Sequence, residues 1–144
     1  MMAKIFPKGK GGIQYMLSKE YARTILGDAK MTQKVIDSST SVNPSTAGVL
    51  TFEEHITDPE ELKRVCQDFE RNFLCPGINP DEYSVVWVEH QEKAKGGGIR
   101  TGAHFEMANT HLPTQNRIQP YWHAKDKSRK MAWQALTNER EGYS

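Results

Sequence analysis

Two histidines in the middle of the chain lie in apolar segments whose residue types suit metal-assisted chemistry. His90 ends the run 83–90 and His104 lies within the run 102–107. Side chains alternate faces along a strand, so a hairpin of these segments can place both imidazoles on one side of a sheet. Glu106, two residues after His104, shares its face. Imidazole and carboxylate groups bind divalent metals, and the sequence predicts a metal site formed by His90, His104 and Glu106.

Basic residues accompany these histidines and suit a phosphate-bearing ligand. Lys93, Lys95 and Arg100 lie in and beside the glycine-rich loop that joins the two segments, and Lys8 and Lys10 lie in a second glycine-rich stretch. Flexible loops that carry cations can follow a polyanionic backbone. These five residues are therefore predicted to bind DNA.

A tyrosine near the start of the chain is a candidate nucleophile. Tyr15 follows the first glycine-rich stretch and falls in the first turns of a helix predicted over residues 13–25. A phenol beside a metal-polarised phosphodiester can attack phosphorus and form a phosphotyrosine ester. Tyr21, six residues later, is the alternative, and a half-buried packing role is the ordinary alternative for Tyr15 itself.

Composition indicates one globular domain. The chain has 144 residues and a net charge of +1, with neither a signal peptide nor an apolar run of membrane-spanning length. Its two cysteines do not form a CxxC pair, which favours a reduced, cytoplasmic protein without membrane insertion. Residues 1–34 are basic and residues 53–70 are acidic, as expected if a polyanion binds one face.

Hydrophobic periodicity predicts an α+β fold with a central antiparallel sheet, helices packed mainly on one face, and a substrate groove on the other. Asp58 and Pro59 mark the start of the clearest helix, over residues 59–74. In the last helix Met131, Ala132 and Leu136 are expected to point inward, with Trp133 as a further candidate. The remaining predicted elements are strands over 4–6, 48–55 and 117–121, two central strands, and helices over 28–36 and 128–140.

Several stretches resemble the relaxases of mobilisable plasmids, in particular the MobP-type group, whose signature is a His-Glu-Asn triad. The matching stretches are KIFPKGKGG, IQYMLSKE, AGVLTFEEH, PDEYSVVWVEHQEK, ANTHL and RIQPYWHAKDKSRKMAWQALTN. The resemblance implies a histidine-hydrophobic-histidine (HUH) endonuclease fold. It also implies nicking of DNA at a plasmid transfer origin, a 5′-phosphotyrosine intermediate, and Mg²⁺ or Mn²⁺ as cofactor.

Carried over by position, the family's nucleophile falls on Tyr15 and its first triad histidine on His90. The glutamate position falls on Gly102 and the asparagine position on His104. Three readings stay open at this point. Glu106 supplies the missing carboxylate; His90 and His104 hold the metal with water or another side chain; or metal binding is impaired.

The resemblance also sets expectations for organisation and partners. Residues 1–144 are expected to be a relaxase catalytic domain, the N-terminal part of a longer protein. Its expected partners are single-stranded transfer-origin DNA, relaxosome accessory proteins and a coupling protein, and it is expected to enter the recipient cell bound to DNA. Two other functions stay open: a rolling-circle replication initiator, and a non-catalytic module that binds single-stranded nucleic acid.

Overall fold

The central element is a five-stranded sheet in which every neighbouring pair of strands is antiparallel. The computed structural model describes residues 1–7 and 12–144. The strand order is β1-β3-β5-β4-β2, so the two histidine-bearing strands lie in the interior of the sheet. The strands are Met2–Phe6 (β1), Arg23–Leu26 (β2), Ser45–Phe52 (β3), Val85–Lys93 (β4) and Ile99–Ala108 (β5).

Four α-helices surround the sheet within the described part of the chain. They are Gly12–Leu17 (α1), Ala29–Ser38 (α2), Pro59–Phe69 (α3) and His123–Glu141 (α4); a π-helical turn, Glu70–Leu74, extends α3. The predicted start of α3 is confirmed, since the Asp58 carboxylate accepts a hydrogen bond from the Glu60 amide and Pro59 occupies the first turn. None of the described helices is both long enough and apolar enough to cross a membrane.

The two longer helices pack on one face of the sheet, which we call the back face. Phe69 of α3 is fully buried there, stacked on Trp133 of α4 and in edge contact with Phe105 of β5. The opposite face carries the histidines, and we call it the site face. Here the short helices α1 and α2 cover Val86, Val88 and Ala108, and the rest of the face is left to a cleft. The expected α+β fold with a central antiparallel sheet is confirmed; the two larger helices lie on the back face and two shorter ones on the site face.

Two predicted elements are wrong. The helix predicted over 13–25 ends at Leu17, and the chain then turns through Tyr21, whose φ of 66° is left-handed, into the edge strand β2. This strand forms because Arg23 pairs in register with Glu89 of β4 and binds its carboxylate at 2.6 Å. The strand predicted over 117–121 is reduced to one bridge between Thr110 and Arg117; Pro120 lacks the amide that a longer ladder needs.

The last helix is present, and of the residues predicted to point inward only Trp133 does so. Trp133 and Thr137 are its buried residues, whereas Met131 and Leu136 are 48% and 66% exposed. The indole of Trp133 donates to Asp68 of α3 at 2.9 Å, which fixes which side of α4 faces the core.

Candidate metal centre and nucleophile

The pairing of β4 with β5 brings the two histidines together on the site face. His104 lies opposite Val88, and His90 lies opposite Gly102. Their ring centroids are 4.2 Å apart, with an angle of 40° between the ring planes. The hairpin therefore places two imidazoles side by side, as the alternation of side chains predicts.

Gly102 provides the space in which the ring of His104 lies. A Cβ atom at position 102 would come within 3.2 Å of His104 Nε2. The imidazole thus lies back along its own strand, over the glycine that is paired with His90. The family resemblance assigns a glutamate to position 102. In this chain the residue is a glycine, and the His104 imidazole occupies part of the space that a side chain there would fill.

The carboxylate that joins the two histidines is Glu92, which was not among the predicted ligands. Among the described residues, one ligand atom each from His90, Glu92 and His104 lies within 4.8 Å of the other two. Glu92 follows His90 by two residues on β4 and shares its face, so the same alternation that paired the histidines could have indicated it. Its side chain is exposed and His90 is buried, so the group opens from the sheet into the cleft.

Glu106, the predicted third ligand, lies on the site face but outside this group of described residues. It is 4% exposed, lying between Val86 of β4 and Ala47 of β3 in register. Burial raises the pKa of its carboxyl, and a hydrogen bond with Ser45 opposes part of that rise. Glu106 is thus a buried acid that lies further from the hairpin tip than His90, Glu92 and His104.

One ring nitrogen of His90 is already engaged. His90 Nε2 lies 2.9 Å from the carbonyl oxygen of Met16, at the end of α1. A carbonyl oxygen only accepts, so Nε2 is the donor of this bond; in the neutral imidazole that arrangement leaves Nδ1 with the lone pair that a metal requires. Ligating histidines commonly bind a backbone carbonyl or a carboxylate in this way through the second nitrogen.

The second histidine is held in its neutral form. Burial, together with the nearby charge of His90, lowers the pKa of His104 to about 4. A neutral imidazole has the free electron pair that coordination needs. The arrangement of His104 is therefore ready to bind a cation at neutral pH without first losing a proton.

Tyr15 and the histidines line one cleft of about 510 Å³. Tyr15 lies on α1 and is 55% exposed, so its hydroxyl group is accessible to a ligand. Lys4 and Lys19 line the same cleft, and Lys19 Nζ lies 4.3 Å from the centre of the Tyr15 ring. The rival, Tyr21, lies beyond α1 and is not among the described residues that line this cleft.

The predicted DNA-binding cations of the central hairpin surround its tip. Lys93, Lys95 and Arg100 are exposed and line a second cavity of about 660 Å³ with Glu53. Arg100 lies opposite Glu92 in register, next to the candidate metal ligands. The other two predicted cations, Lys8 and Lys10, lie outside the described residues.

The fold is α+β, and its antiparallel sheet presents a His-Glu-His group beside an accessible tyrosine. This combination defines a class of protein suited to metal-assisted phosphodiester chemistry. The chain is 36% identical over 152 aligned positions to "Cryptic plasmid protein C" of Neisseria gonorrhoeae, covering all of this chain and 71% of that protein. It is also 36% identical over 150 positions to "DNA relaxase MbeA" of Escherichia coli, covering 99% of this chain. The chain belongs to the family of plasmid mobilisation relaxases.

The chain spans about 28% of the length of MbeA. No protein-family model matches the chain. No solved structure matches it either.

Proposed function

We propose that the chain nicks one strand of plasmid transfer-origin DNA and keeps the cleaved strand as a 5′-phosphotyrosine ester, the step that starts conjugative mobilisation. The observation that carries this proposal is the single cleft that Tyr15 shares with His90 and His104. A nucleophile and a candidate cation site within one cleft are what transesterification of a phosphodiester requires.

In the proposed reaction the phenolic oxygen of Tyr15 attacks phosphorus while its proton passes to solvent. The bond from phosphorus to the 3′-oxygen breaks, and the leaving oxygen takes up a proton to become a sugar 3′-hydroxyl. One ester replaces another, so the strand can later be rejoined. The ammonium group of Lys19 lies over the Tyr15 ring, where it can offset negative charge that develops as the phenolic oxygen attacks.

The donor set fits a divalent cation, with His90, His104 and Glu92 as its proposed ligands. Three protein ligands leave positions open for a substrate, as in catalytic metal sites. When bound, such an ion would offset charge that develops on the non-bridging oxygens of the scissile phosphate. Two imidazoles with one carboxylate suit Mn²⁺ better than Mg²⁺, which prefers oxygen ligands.

The nucleophile is tested with a transfer-origin oligonucleotide labelled on the 3′ side of the nick site, in the presence of Mn²⁺ or Mg²⁺. We expect a labelled, denaturation-resistant adduct with the wild-type chain and with Tyr21→Phe, and none with Tyr15→Phe. An adduct that persists in Tyr15→Phe would refute this assignment. Salt-sensitive DNA binding with neither an adduct nor a metal requirement would instead favour a non-catalytic binding module, and cleavage confined to a replication origin would favour an initiator.

The ligand set is tested by calorimetric titration of Mn²⁺ without DNA. Changes in groups that only orient ligands weaken metal affinity by about 10- to 100-fold, so the loss of a ligand in Glu92→Gln should cost more than about tenfold. Glu106→Gln is the matched control, since it removes a carboxylate on the same face but outside the group. A large loss in Glu106→Gln with little change in Glu92→Gln would reverse the assignment.

The wider role of the protein rests on the family resemblance and on the relaxase name of one relative. We include in the proposal that residues 1–144 act as the catalytic domain of a longer protein. Relaxosome accessory proteins and a coupling protein are its proposed partners, with the chain passing to the recipient cell on its DNA. The exposed cations Lys93, Lys95 and Arg100 support contact with the DNA backbone beside the cleft.

A further inference from the structure

A further cavity, distinct from the two described above, lies where α2 ends and the segment after β5 turns back. Its volume is about 290 Å³, and its lining includes Ser39, Thr40, Ser41, Thr110, Gln115 and Arg117. Pockets for drug-sized ligands begin at about 300 Å³ and are mostly apolar. This cavity lies at the lower end of that range and is lined by hydroxyl and amide groups and a guanidinium, so it suits a small polar group.

Arg117 is held in this cavity by neutral oxygen atoms. Its Nη1 donates to Ser41 Oγ and to the Asn43 carbonyl at 2.9 Å, and its Nη2 donates to Gln119 Oε1 at 2.7 Å. Three acceptors from two segments fix the plane of the guanidinium. Of the five guanidinium N–H groups these bonds leave two, on Nε and Nη2, and with the guanidinium plane fixed that pair can donate to the oxygens of a phosphate.

The charge of Arg117 is not balanced by a neighbouring acid. Four other arginines form ion pairs with carboxylates, namely Arg23, Arg64, Arg129 and Arg140. Arg117 has no such partner among the described residues, and no acidic residue is among those that line the cavity. A fixed, uncompensated cation surrounded by hydroxyl groups attracts an anion.

The cavity lies beyond the same strand that carries the candidate metal centre. Six residues separate His104 from Thr110, which at about 3.4 Å per residue corresponds to about 20 Å along the chain. Between them α2 packs on the site face through Ile36, against Val86 and Ala108. A single strand of DNA held at the cleft can reach this cavity by passing α2.

We propose that Arg117 and the hydroxyl groups of residues 39–41 bind a backbone phosphate of the DNA strand at a distance from the nicking site. The choice of DNA as ligand rests on the proposed function; the preference for a phosphate group rests on the cavity alone. Such a contact fixes the strand without reading its bases, because phosphate contacts position a nucleic acid and base contacts specify its sequence.

The test measures binding of a fluorescent single-stranded oligonucleotide to the full chain over a series of salt concentrations. For single strands the slope of log K against log salt is about −0.7 for each neutralised phosphate, so Arg117→Gln should reduce the steepness by about 0.7. The glutamine amide can still donate to Ser41 or Asn43, and Arg117→Lys keeps the charge and should keep the slope. Arg64→Gln is the control, since Arg64 lies in an exposed pair with Glu141 on α4.

Equal slopes in the wild type and in Arg117→Gln would overturn the proposal, as would an equal loss in Arg64→Gln. Thermal unfolding of each variant identifies a loss that comes from folding, and retention of the slope in Arg117→Lys would still support the site in that case. Titration with inorganic phosphate distinguishes a backbone phosphate of DNA from free phosphate as the ligand. If Arg117→Gln abolished binding of inorganic phosphate but left the salt dependence of DNA binding unchanged, the cavity would be a free-phosphate site and the DNA contact would be refuted. Adduct formation is measured separately, so a failure of the nicking reaction leaves the slope result interpretable.

Discussion

Substitution of Gly102 by alanine should weaken metal binding while leaving the apo protein at least as stable. The added Cβ would lie 3.2 Å from His104 Nε2, so the imidazole must move by a few tenths of an ångström, whereas the nearest backbone atom, the His90 carbonyl oxygen, is at an ordinary 3.8 Å. Metal–ligand distances tolerate about 0.2 Å, so the shift should cost about tenfold in affinity, or about 1.4 kcal/mol. Gly102 has no left-handed φ, and alanine there should add about 0.4–1 kcal/mol of stability by restricting the unfolded chain.

The two effects have opposite signs, which makes the assay decisive. Mn²⁺ affinity is measured by calorimetry, and apo stability by denaturant unfolding in the presence of a chelator. Gly48→Ala is the contrast: its Cβ would lie 2.5 Å from the Lys4 carbonyl oxygen and from the Phe105 ring, so it should destabilise the sheet itself. If Gly102→Ala bound Mn²⁺ as tightly as the wild type, the placement of the His104 ring over Gly102 would not govern the site.

Two further outcomes are expected. Lys19→Gln should slow formation of the DNA adduct at saturating DNA by about 2- to 30-fold, which corresponds to a cation–π contact of about 0.5–2 kcal/mol. Lys19→Arg keeps the positive charge and should restore much of the rate. Similar rates in the wild type and both variants would contradict a role for this cation. Burial raises the pKa of Glu70 in the folded protein above its ordinary value of 4.5. The contribution of Glu70 to the free energy of unfolding is therefore complete below about pH 4.5 and is lost as the pH rises through the raised folded pKa. Free energies of unfolding measured against pH should show this decline in the wild type and lack it in Glu70→Gln. Glu70→Gln should also be about 1–3 kcal/mol less stable at low pH, since Tyr83 and Trp87 donate to different oxygens of Glu70 and in glutamine an NH₂ group, which cannot accept, takes the place of one of them.

The sheet was largely predictable because its strands carry strong local signals. Residues 85–93 and 99–108 flank a glycine-rich turn, and their side chains point alternately to the two faces of the sheet. Asp58 and Pro59 mark the start of α3. The strand β2 was missed because its four residues lack a pattern of their own, and its pairing with Glu89 is a long-range contact. Trp133 of α4 was a correct inward candidate, whereas Met131 and Leu136 were wrong, because the long-range hydrogen bond from Trp133 to Asp68 outweighs the helix's weak apolar periodicity.

The candidate site shows the same division between local and long-range information. Alternation along β4 and β5 placed both histidines on one face, and it applies equally to Glu92, which was overlooked in favour of Glu106. Alternation specifies the face of a side chain but not its depth, and depth separates the exposed Glu92 from the buried Glu106. The approach of α1, which brings Tyr15 and Lys19 to the cleft, depends on tertiary packing of Ile13 and Met16 that no local spacing reveals.

The bond between His90 and the end of α1 changes how mutants of this chain should be interpreted. Exchange of His90 removes a candidate ligand and also the hydrogen bond that ties the sheet to the last turn of the helix bearing Tyr15, because the Met16 carbonyl loses its donor. An inactive His90 mutant would therefore combine two defects, and addition of excess metal would repair only one of them. His104 and Glu92 have no such tie to α1 among the described hydrogen bonds, so their mutants report on the cation site alone.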